Sequence, residues 1–531
     1  MEKRLLIAVT LSILVMLVYP LLMPKTPSPI TQPLSSSQPV ENTDSYNTKD
    51  TVRNTAVAEV EPSSPTLPAD AISKIFTSTK YEIDMANIGA SINKIIIRDG
   101  KRFDADLVED AFYKTGILAI DGKGALSGLS SQPFIFKKDT NSFYVEKNGV
   151  AIEKTIKFLK DRYGIVASVK ITNRSGATQF LSFDITTASN ISTKEIYESR
   201  YMGADILDGA GRFKRIAGGN FKKDKRLYQN DIQWLALRNK YYSIIAKPLF
   251  TPSGVFTTNV GKRPVTGFMV DDVKILPGET QKFDLLFYVG PTDIEELEKV
   301  DPLFGKALNF GKLTSISLVL LSVLRFFYGL FHNYGVAILL LTCCISFALF
   351  PLSLKSLKSM RKMQELQPHI EKVRADHKDN PHKLNKEIME LYRRYNVNPM
   401  GGCLPMLLQM PIFIALYQTL MRSVELKGAT FLWIKDLSMP DQAFHLPFTL
   451  PFLGNAVNLL PILMIGAMIF QQKLSQGSSK AAKTDQQKMM ATVMPVMFGF
   501  LFYSLPAGLV LYWLTNTLMT SSLQYFALRK A

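Results

Sequence analysis

The pattern of apolar and polar positions divides the chain into regions that follow different rules. Residues 5–23 form an apolar run that follows Lys3 and Arg4 and contains no charged side chain. At about 1.5 Å per residue, a helix of this length crosses a hydrocarbon layer of about 30 Å. No small-x-small cleavage site follows the run, so we expect residues 1–23 to be an uncleaved transmembrane anchor. The basic residues before it place the N-terminus in the cytoplasm.

Residues 24–70 are rich in proline, serine and threonine and poor in aromatic residues. A segment of this composition buries too little apolar surface to offset the entropy of ordering it. We expect it to be a disordered tether.

Residues 71–300 show a period of two. Apolar side chains alternate with polar ones most clearly at Ile165, Ala167, Val169 and Ile171, and again at Phe283, Leu285, Phe287 and Val289. Turn sequences such as Asp121-Gly122 separate the alternating runs. This pattern is typical of strands with one buried face and predicts an all-β sandwich over residues 71–300.

Another apolar run, residues 313–331, has its polar side chains on one helical stripe. The stripe consists of Lys312, Ser315, Ser322, Arg325, Gly329 and His332. A helix with a separate polar stripe lies in the membrane interface more readily than it crosses the bilayer. We therefore expect an interfacial amphipathic helix within residues 301–332.

Four long intervals after residue 332 contain no charged residue and no histidine. They are residues 333–354, 395–421, 446–472 and 489–528. The last interval is too long for one span, and Pro506 with Gly508 breaks it in two. The pattern predicts five spanning helices within residues 333–531, and six with the anchor.

Basic residues are concentrated in segments that this topology places in the cytoplasm. The chain has 62 Lys and Arg against 45 Asp and Glu, a net charge of +17. Residues 355–394 alone contain eleven Lys and Arg against six Asp and Glu, whereas the loop at 422–441 is balanced. The excess follows the positive-inside bias and requires no DNA partner. Both termini are expected in the cytoplasm and the β region on the opposite side of the membrane.

Within the basic segment, apolar residues recur every three or four positions on both sides of Asp379-Asn380-Pro381. The repeat predicts a cytoplasmic helical hairpin over residues 355–396. One interpretation is a self-contained coiled-coil pair with a solvated basic face, which composition alone slightly favours. The other is an arm that contacts substrate or a partner through Lys355, Lys358, Arg361, Lys362, Arg393 and Arg394.

Enzyme chemistry finds little support. The three cysteines, Cys343, Cys344 and Cys403, cannot make a disulfide framework and have no histidine partner in the spans. The sequence contains no HExxH, paired CxxC, GxxxxGK[ST] or GxSxG motif. We expect no catalytic residue, metal site or cofactor.

Several strings after residue 300 resemble the YidC family of membrane-protein insertases. The most specific is NPMGGCLP at 398–405, continued by QMPIFIALY at 409–417. Further matches are KMQELQPHI at 362–370, MRSVEL at 421–426, FLWIKDL at 431–437 and LPAGLVLYW at 505–513. The anchor, the tether and the β region match this family only in their order, as its Gram-negative form with a large periplasmic domain.

The resemblance implies a chaperone and insertase of the bacterial inner membrane that works without nucleotide hydrolysis. Its core helices would enclose a polar groove, open to the cytoplasm and to lipid and closed on the periplasmic side. The implied partners are nascent membrane proteins, the lipid bilayer, the Sec translocon and, through the loops, the ribosome. A secondary transporter or channel is the alternative, but transporters often show internal repeats and intramembrane charges, and these spans show neither.

Polar residues in three spans are the candidates for this groove. They are Thr342 and Ser346 in one span, Gln409 in the next, and Tyr512, Trp513 and Asn516 in the last. Each alone fits hydrogen bonding between packed helices, but their convergence favours a hydrated cavity. Ser346 occupies a position that is basic, often arginine, in most of the family. A groove without that cation should attract acidic client tails less strongly.

Overall fold

The computed structural model describes residues 72–98, 105–108, 115–189, 191–192, 201–221, 225–228, 231–260, 263–309, 311–377, 380–395, 397, 404–450, 454–476 and 485–530. The predicted anchor at 1–23 and the predicted tether at 24–70 lie outside these residues.

Antiparallel strands fill the chain from Ser73 to Pro291. They are β1 (Ser73–Thr77), β2 (Tyr81–Ala86), β3 (Ser91–Ile97), β4 (Ala105–Val108), β5 (Ile120–Gly122), β6 (Ile135–Lys137), β7 (Ser142–Lys147), β8 (Val150–Phe158), β9 (Gly164–Asn173), β10 (Gln179–Ser189), β11 (Gly203–Asp208), β12 (Phe213–Ala217), β13 (Lys225–Tyr228), β14 (Ile232–Arg238), β15 (Tyr242–Pro248), β16 (Gly254–Val260), β17 (Arg263–Ile275) and β18 (Thr280–Pro291).

These strands form three sheets. A nine-stranded sheet has the order β12-β11-β14-β15-β18-β9-β8-β7-β6, a five-stranded sheet the order β13-β16-β17-β10-β5, and a small sheet the order β1-β2-β3-β4. Strands β10 and β17 pack face to face on β14 and β15. The predicted all-β sandwich is therefore confirmed.

The predicted alternation sets the register at the centre of the large sheet. Phe283 pairs with Val169, Leu285 with Ala167 and Phe287 with Ile165 across β18 and β9. All six side chains are buried, because every second residue of each strand faces the sandwich core.

The chain from residue 294 onward is mainly helical. The helices are α1 (Ile294–Val300), α2 (Thr314–Phe331), α3 (Tyr334–Glu365), α4 (Gln367–Asp376), α5 (Pro381–Arg394), α6 (Leu404–Arg422), α7 (Leu459–Gln476), α8 (Asp485–Phe502) and α9 (Ala507–Lys530). A two-stranded ribbon, β19 (Phe444–Leu450) and β20 (Gly454–Val457), lies between α6 and α7. The helical region that accompanies the sandwich is as predicted, while the count of six spans stays a prediction.

Two helices in the described ranges have the length and apolar composition needed to cross a membrane. They are α2 and the Tyr334–Met363 part of α3, and shorter apolar stretches occupy Leu459–Leu474 and Val493–Phe502. Length and composition alone would thus allow α2, the predicted interfacial helix, to span.

The surroundings of α2 differ on its three faces. Leu321 belongs to the apolar core of the β region, whereas Leu320 and Leu324 belong to the core of the helical region. Val319 and Phe326 on the third face are exposed. Helix α2 is therefore packed between the sandwich and the helical core.

Helix α3 continues beyond the expected end of its span. It runs without interruption through Leu354 and ends only at Glu365, with Leu366 between it and α4. Pro368 lies in the first turn of α4, where a proline costs no hydrogen bond within the helix. Helices α4 and α5 then pack through a small apolar cluster of Leu366, Ile370, Val397, Met363, Ile388, Leu391 and Tyr392.

Candidate functional site

The first polar contact inside the helical core joins α6 and α9. The side-chain amide of Gln409 donates a hydrogen bond to the hydroxyl oxygen of Tyr512. Tyr512 is fully buried, and Gln409 is half-buried between exposed neighbours on α6. Two groups selected from different parts of the sequence therefore meet directly.

A second polar contact joins α3 and α9. Ser346 Oγ donates to Asn516 Oδ1 over 3.3 Å. Ser346 is buried and Asn516 is half-buried. Because Asn516 follows Tyr512 by four residues, the two contacts lie about one helical turn apart on the same face of α9. Helix α9 thus presents one polar face to two neighbouring helices.

Thr342 does not join either contact. Its hydroxyl donates to the carbonyl oxygen of Ile338 in its own helix at 2.6 Å, and its side chain is fully buried. Threonine in a helix commonly satisfies its hydroxyl in this way. Thr342 therefore lies beside the polar contacts without a bond to them.

Trp513 lies among aromatic rings. Its ring centroid is 5.0 Å from that of Phe413, 5.1 Å from Phe502 and 5.9 Å from Phe498. These contacts pack α9 against α6 and α8. Trp513 can thereby fix the rotation of α9 that directs Tyr512 towards Gln409.

Neither polar contact contains a charged group. Residues 333–354, 404–421 and 507–528 of the three helices contain no Lys, Arg, Asp, Glu or His. The site therefore offers neutral donors and acceptors only. Among the described residues, no group of three or more His, Cys, Asp or Glu side chains could hold a metal ion.

The six basic side chains predicted to make contacts on the hairpin are all exposed. Four lie on the extension of α3 and two end α5: Lys355, Lys358, Arg361, Lys362, Arg393 and Arg394. They are some distance in sequence from the polar contacts and form a separate surface.

The structure also reveals an ion cluster that sequence reasoning missed. Arg325 of α2 donates to Glu425 Oε1 at 2.5 Å, to Asp293 Oδ2 at 2.8 Å and to Glu295 Oε1 at 3.1 Å. Asp293 also caps the N-terminus of α1, where it accepts from the backbone N–H groups of Glu295 and Glu296. Helix α1, helix α2 and the segment after α6 therefore meet at one guanidinium.

Burial shapes the electrostatics of this cluster. The side chain of Glu425 is 4% exposed, and burial raises its pKa, while Arg325 acts in the opposite direction. The sequence contains one signal for the cluster, namely an arginine within an apolar run, which needs carboxylate partners if it is buried. Helical spacing places Arg325 on the polar stripe of α2 and does not indicate these partners, because they are distant in the sequence.

Comparison with known proteins identifies the family. A model described as 60Kd inner membrane protein matches residues 326–531, and one described as YidC periplasmic domain matches residues 140–323. The membrane protein insertase YidC of Pelobacter propionicus is 31% identical over 99% of this chain and 99% of its own length. The chain belongs to the YidC family.

Further relatives have the same name. The membrane protein insertase YidC of Syntrophobacter fumaroxidans is 36% identical over 60% of this chain and 58% of its own length. A crystal structure described as an active YidC insertase with its first transmembrane domain resolved is 21% identical, covers 86% of this chain and 92% of its own, and has a TM-score of 0.38. The two family models meet at residues 324–325, so Arg325 lies at the border between them.

Proposed function

We propose that this member of the YidC family inserts newly made proteins into the bacterial inner membrane and assists their folding, without nucleotide hydrolysis. The observation that carries the proposal is the pair of neutral contacts, Gln409 with Tyr512 and Ser346 with Asn516, which joins three apolar helices within about one turn. The relatives' name, membrane protein insertase, points to the same activity.

The chemistry of these contacts suits a transient polar site. A hydrogen bond between neutral side chains contributes only about 0.5–1.5 kcal/mol net, so its partners can exchange it for bonds to water or to a client. A polar client segment that enters lipid unaccompanied loses its hydrogen bonds, which costs several kcal/mol per group. The site would lower that cost while the hydrophobic segment moves into the bilayer.

The direction of α3 and α9 fits a groove that opens towards the basic ends of the two helices. Thr342 and Tyr512 are fully buried, whereas Asn516, one turn further along α9, is half-buried. Both helices run from there towards their basic ends, since α3 continues to Lys355 and α9 to Arg529. The groove would therefore open on the basic side, which the positive-inside rule assigns to the cytoplasm.

The position of α2 supports an interfacial helix. One face packs on the β region and another on the helical core, so the helix lies at the junction of the two. A β sandwich built with a water-facing surface would hold such a helix at the membrane surface. This topology places the sandwich in the periplasm and the helical hairpin and both termini in the cytoplasm.

The exposed basic side chains of the hairpin form a surface for an anionic partner. Ribosomal RNA next to an emerging client fits that charge. Cooperation with the Sec translocon is a further part of the proposal, and it rests on the family resemblance alone.

Insertion of a single-span client into vesicles that contain the full-length protein tests the proposal. Tyr512→Phe removes the hydroxyl that Gln409 contacts and should reduce the rate of insertion several-fold. Tyr417→Phe makes the same change on α6, where the ring packs near Phe413, and should leave the rate unchanged.

Two results would count against the proposal in different ways. Equal rates for Tyr512→Phe, Tyr417→Phe and the wild type would exclude the Gln409–Tyr512 contact as the client site. Failure of correctly localised wild-type protein to insert any client, in vesicles and in depleted cells, would favour a transporter or channel instead.

A further inference from the structure

The ribbon between α6 and α7 exposes aromatic side chains. Phe444 and Phe448 of β19 are 61% and 58% exposed. Phe444 pairs with Val457 of β20, and the ribbon consists of these two strands alone. An isolated two-stranded ribbon is marginally stable in water, so this apolar face requires a cover.

The base of the ribbon is held firmly at the ends of membrane helices. Asn458 accepts from the backbone N–H of Gln442 at 2.9 Å and donates to the carbonyl oxygen of Tyr503 at 2.6 Å. The Tyr503 hydroxyl donates to the carbonyl oxygen of Ala456 at 2.9 Å. The orientation of the ribbon is therefore fixed relative to the start of α7 and the end of α8.

A nearby loop adds to the same apolar surface. Leu432 is among the most exposed apolar side chains and adopts a φ of 51°, an uncommon conformation for leucine. Its neighbour Trp433 is partly exposed and donates its ring N–H to Asp441 Oδ2 at 3.2 Å. A tryptophan with an apolar ring outside and a satisfied N–H is typical of the membrane–water boundary.

The composition of the ribbon and of α7 indicates what covers the apolar face of the ribbon. No Lys, Arg, Asp or Glu occurs from residue 442 to residue 472, so the ribbon offers no charge complementarity to a protein partner. The exposed apolar surface continues from the ribbon onto α7 at Ile462, Leu463 and Phe470. Because α7 is an apolar helix that the lipid is expected to surround, the ribbon begins where the hydrocarbon layer begins.

We propose that the β19–β20 ribbon is a membrane-interface anchor, in which Phe444 and Phe448 insert among the phospholipids at the boundary of headgroups and acyl chains. The anchor occupies the leaflet on the side of the β region and sets the depth of α7 and α8. This role depends on the membrane location of the helical core and is independent of the polar contacts with clients.

Depth measurement by spin labelling tests the anchor. In the full-length protein with Cys343→Ser, Cys344→Ser and Cys403→Ser, single cysteines are introduced as Phe444→Cys, Phe448→Cys, His445→Cys or Phe180→Cys and labelled with a nitroxide. After reconstitution into phosphatidylethanolamine and phosphatidylglycerol vesicles, collision with oxygen is compared with collision with a water-soluble nickel chelate. Insertion activity is recorded separately, so that loss of function and loss of anchoring are distinguished.

The expected result is a clear preference for oxygen at positions 444 and 448. The label at His445, which points to the opposite side from Phe444, should lie closer to water. The label at Phe180, which is 68% exposed on the β region, should prefer nickel strongly. Nickel accessibility at 444 and 448 equal to that at 180 would overturn the anchor. Protection from both reagents would also overturn it, since it would indicate a covering protein or a second copy.

A measurement on the unmodified protein covers the case in which the cysteine variants do not fold. Vesicles that contain a phospholipid with a photoreactive acyl chain are irradiated, and the adducts are located by mass spectrometry. We expect adducts at Phe444–Phe448 together with adducts on α7. Adducts on α7 with none on the ribbon would contradict the proposal.

Discussion

The β region and the helical region satisfy their buried polar groups in different ways. In the sandwich, Asp205 is fully buried and forms ion pairs with Arg238 and Arg215, so the β region buries charged groups. In the helical core, the corresponding contacts are the neutral ones of Gln409 and Ser346. A charge without a partner costs far more free energy in lipid than in a domain surrounded by water. This difference explains why the contacts in the helical core are neutral.

The surfaces of the two regions differ in how many large apolar side chains they expose. Most of the strongly exposed large apolar side chains in the described ranges follow residue 300, for example Phe347 on α3 and Phe470 on α7. The β region instead buries its large rings, including Trp234 and Tyr163. The two regions thus differ both in the polar groups that they bury and in the apolar groups that they expose, as their two solvents require.

Arg325 provides the strongest test of this comparison, because it is a charged contact shared by both regions. Its side chain is 20% exposed. Replacing it in Arg325→Met leaves Glu425 and Asp293 close together without their cation, and removing one partner of a buried pair costs about 3–5 kcal/mol. We expect the full chain in detergent to unfold at a clearly lower temperature, with faster hydrogen exchange both in α1 and in the segment after α6.

Arg174 supplies a control for this experiment. It forms an ion pair with Glu146 in the β region, and both side chains are largely exposed, at 56% and 45%. Arg174→Met should change stability by less than about 1 kcal/mol. Similar losses in the two variants would show that the cluster at Arg325 does not join the regions.

Local patterns predicted the sandwich, whereas the polar contacts depend on information that is not local. Alternation identified the buried faces of β9 and β18, since it reports directly which residues face a core. Helical spacing placed Tyr512 and Asn516 on one face but did not identify Gln409 and Ser346 as their respective partners. Partner choice depends on how each helix is rotated, and that is set by packing such as that of Trp513 among aromatic rings.

Two other details depend on hydrogen bonds within a single helix. The hydroxyl of Thr342 bonds to a carbonyl of its own helix, so a residue chosen for its polarity takes no part in the two polar contacts between helices. The change from apolar to charged residues at Lys355 does not interrupt α3, which continues to Glu365. In both places backbone hydrogen bonding within the helix outweighs the pattern of hydrophobicity.

Lys154 tests the β region alone through its pH dependence. Its ammonium donates to the carbonyl oxygens of Gly89 and Leu118 at 2.6 Å, and complete burial lowers its pKa to about 7. Between pH 7 and the ordinary lysine pKa, the unfolded chain binds this proton and the folded chain does not. The stability of the sandwich should therefore rise with pH in this window, by at most about 1.4 kcal/mol per unit.

Limited proteolysis of the β region in urea at several pH values measures this slope. Lys154→Met should flatten it, whatever its effect on stability at a single pH. Lys147→Met, in which the lost side chain is only half-buried and donates to the carbonyl oxygen of Ser127, should keep the wild-type slope. A slope that persists in Lys154→Met would assign the proton to another group.

Ser346 gives the test with the smallest expected effect. A cation at this position would place a charged group, of the kind that the β region buries, beside the neutral contacts of the helical core. Ser346→Arg removes one hydrogen bond to Asn516, worth about 0.5–1.5 kcal/mol, and leaves the rest of the groove neutral. Since Asn516 is half-buried, the new guanidinium can reach water or a client's carboxylate. We expect insertion of neutral clients to continue and that of clients with acidic tails to improve a few-fold in vesicles. Ser346→Gln, which adds length without charge, should give no such preference. If Ser346→Arg loses all insertion while Ser346→Gln stays active, the groove excludes charge at this position.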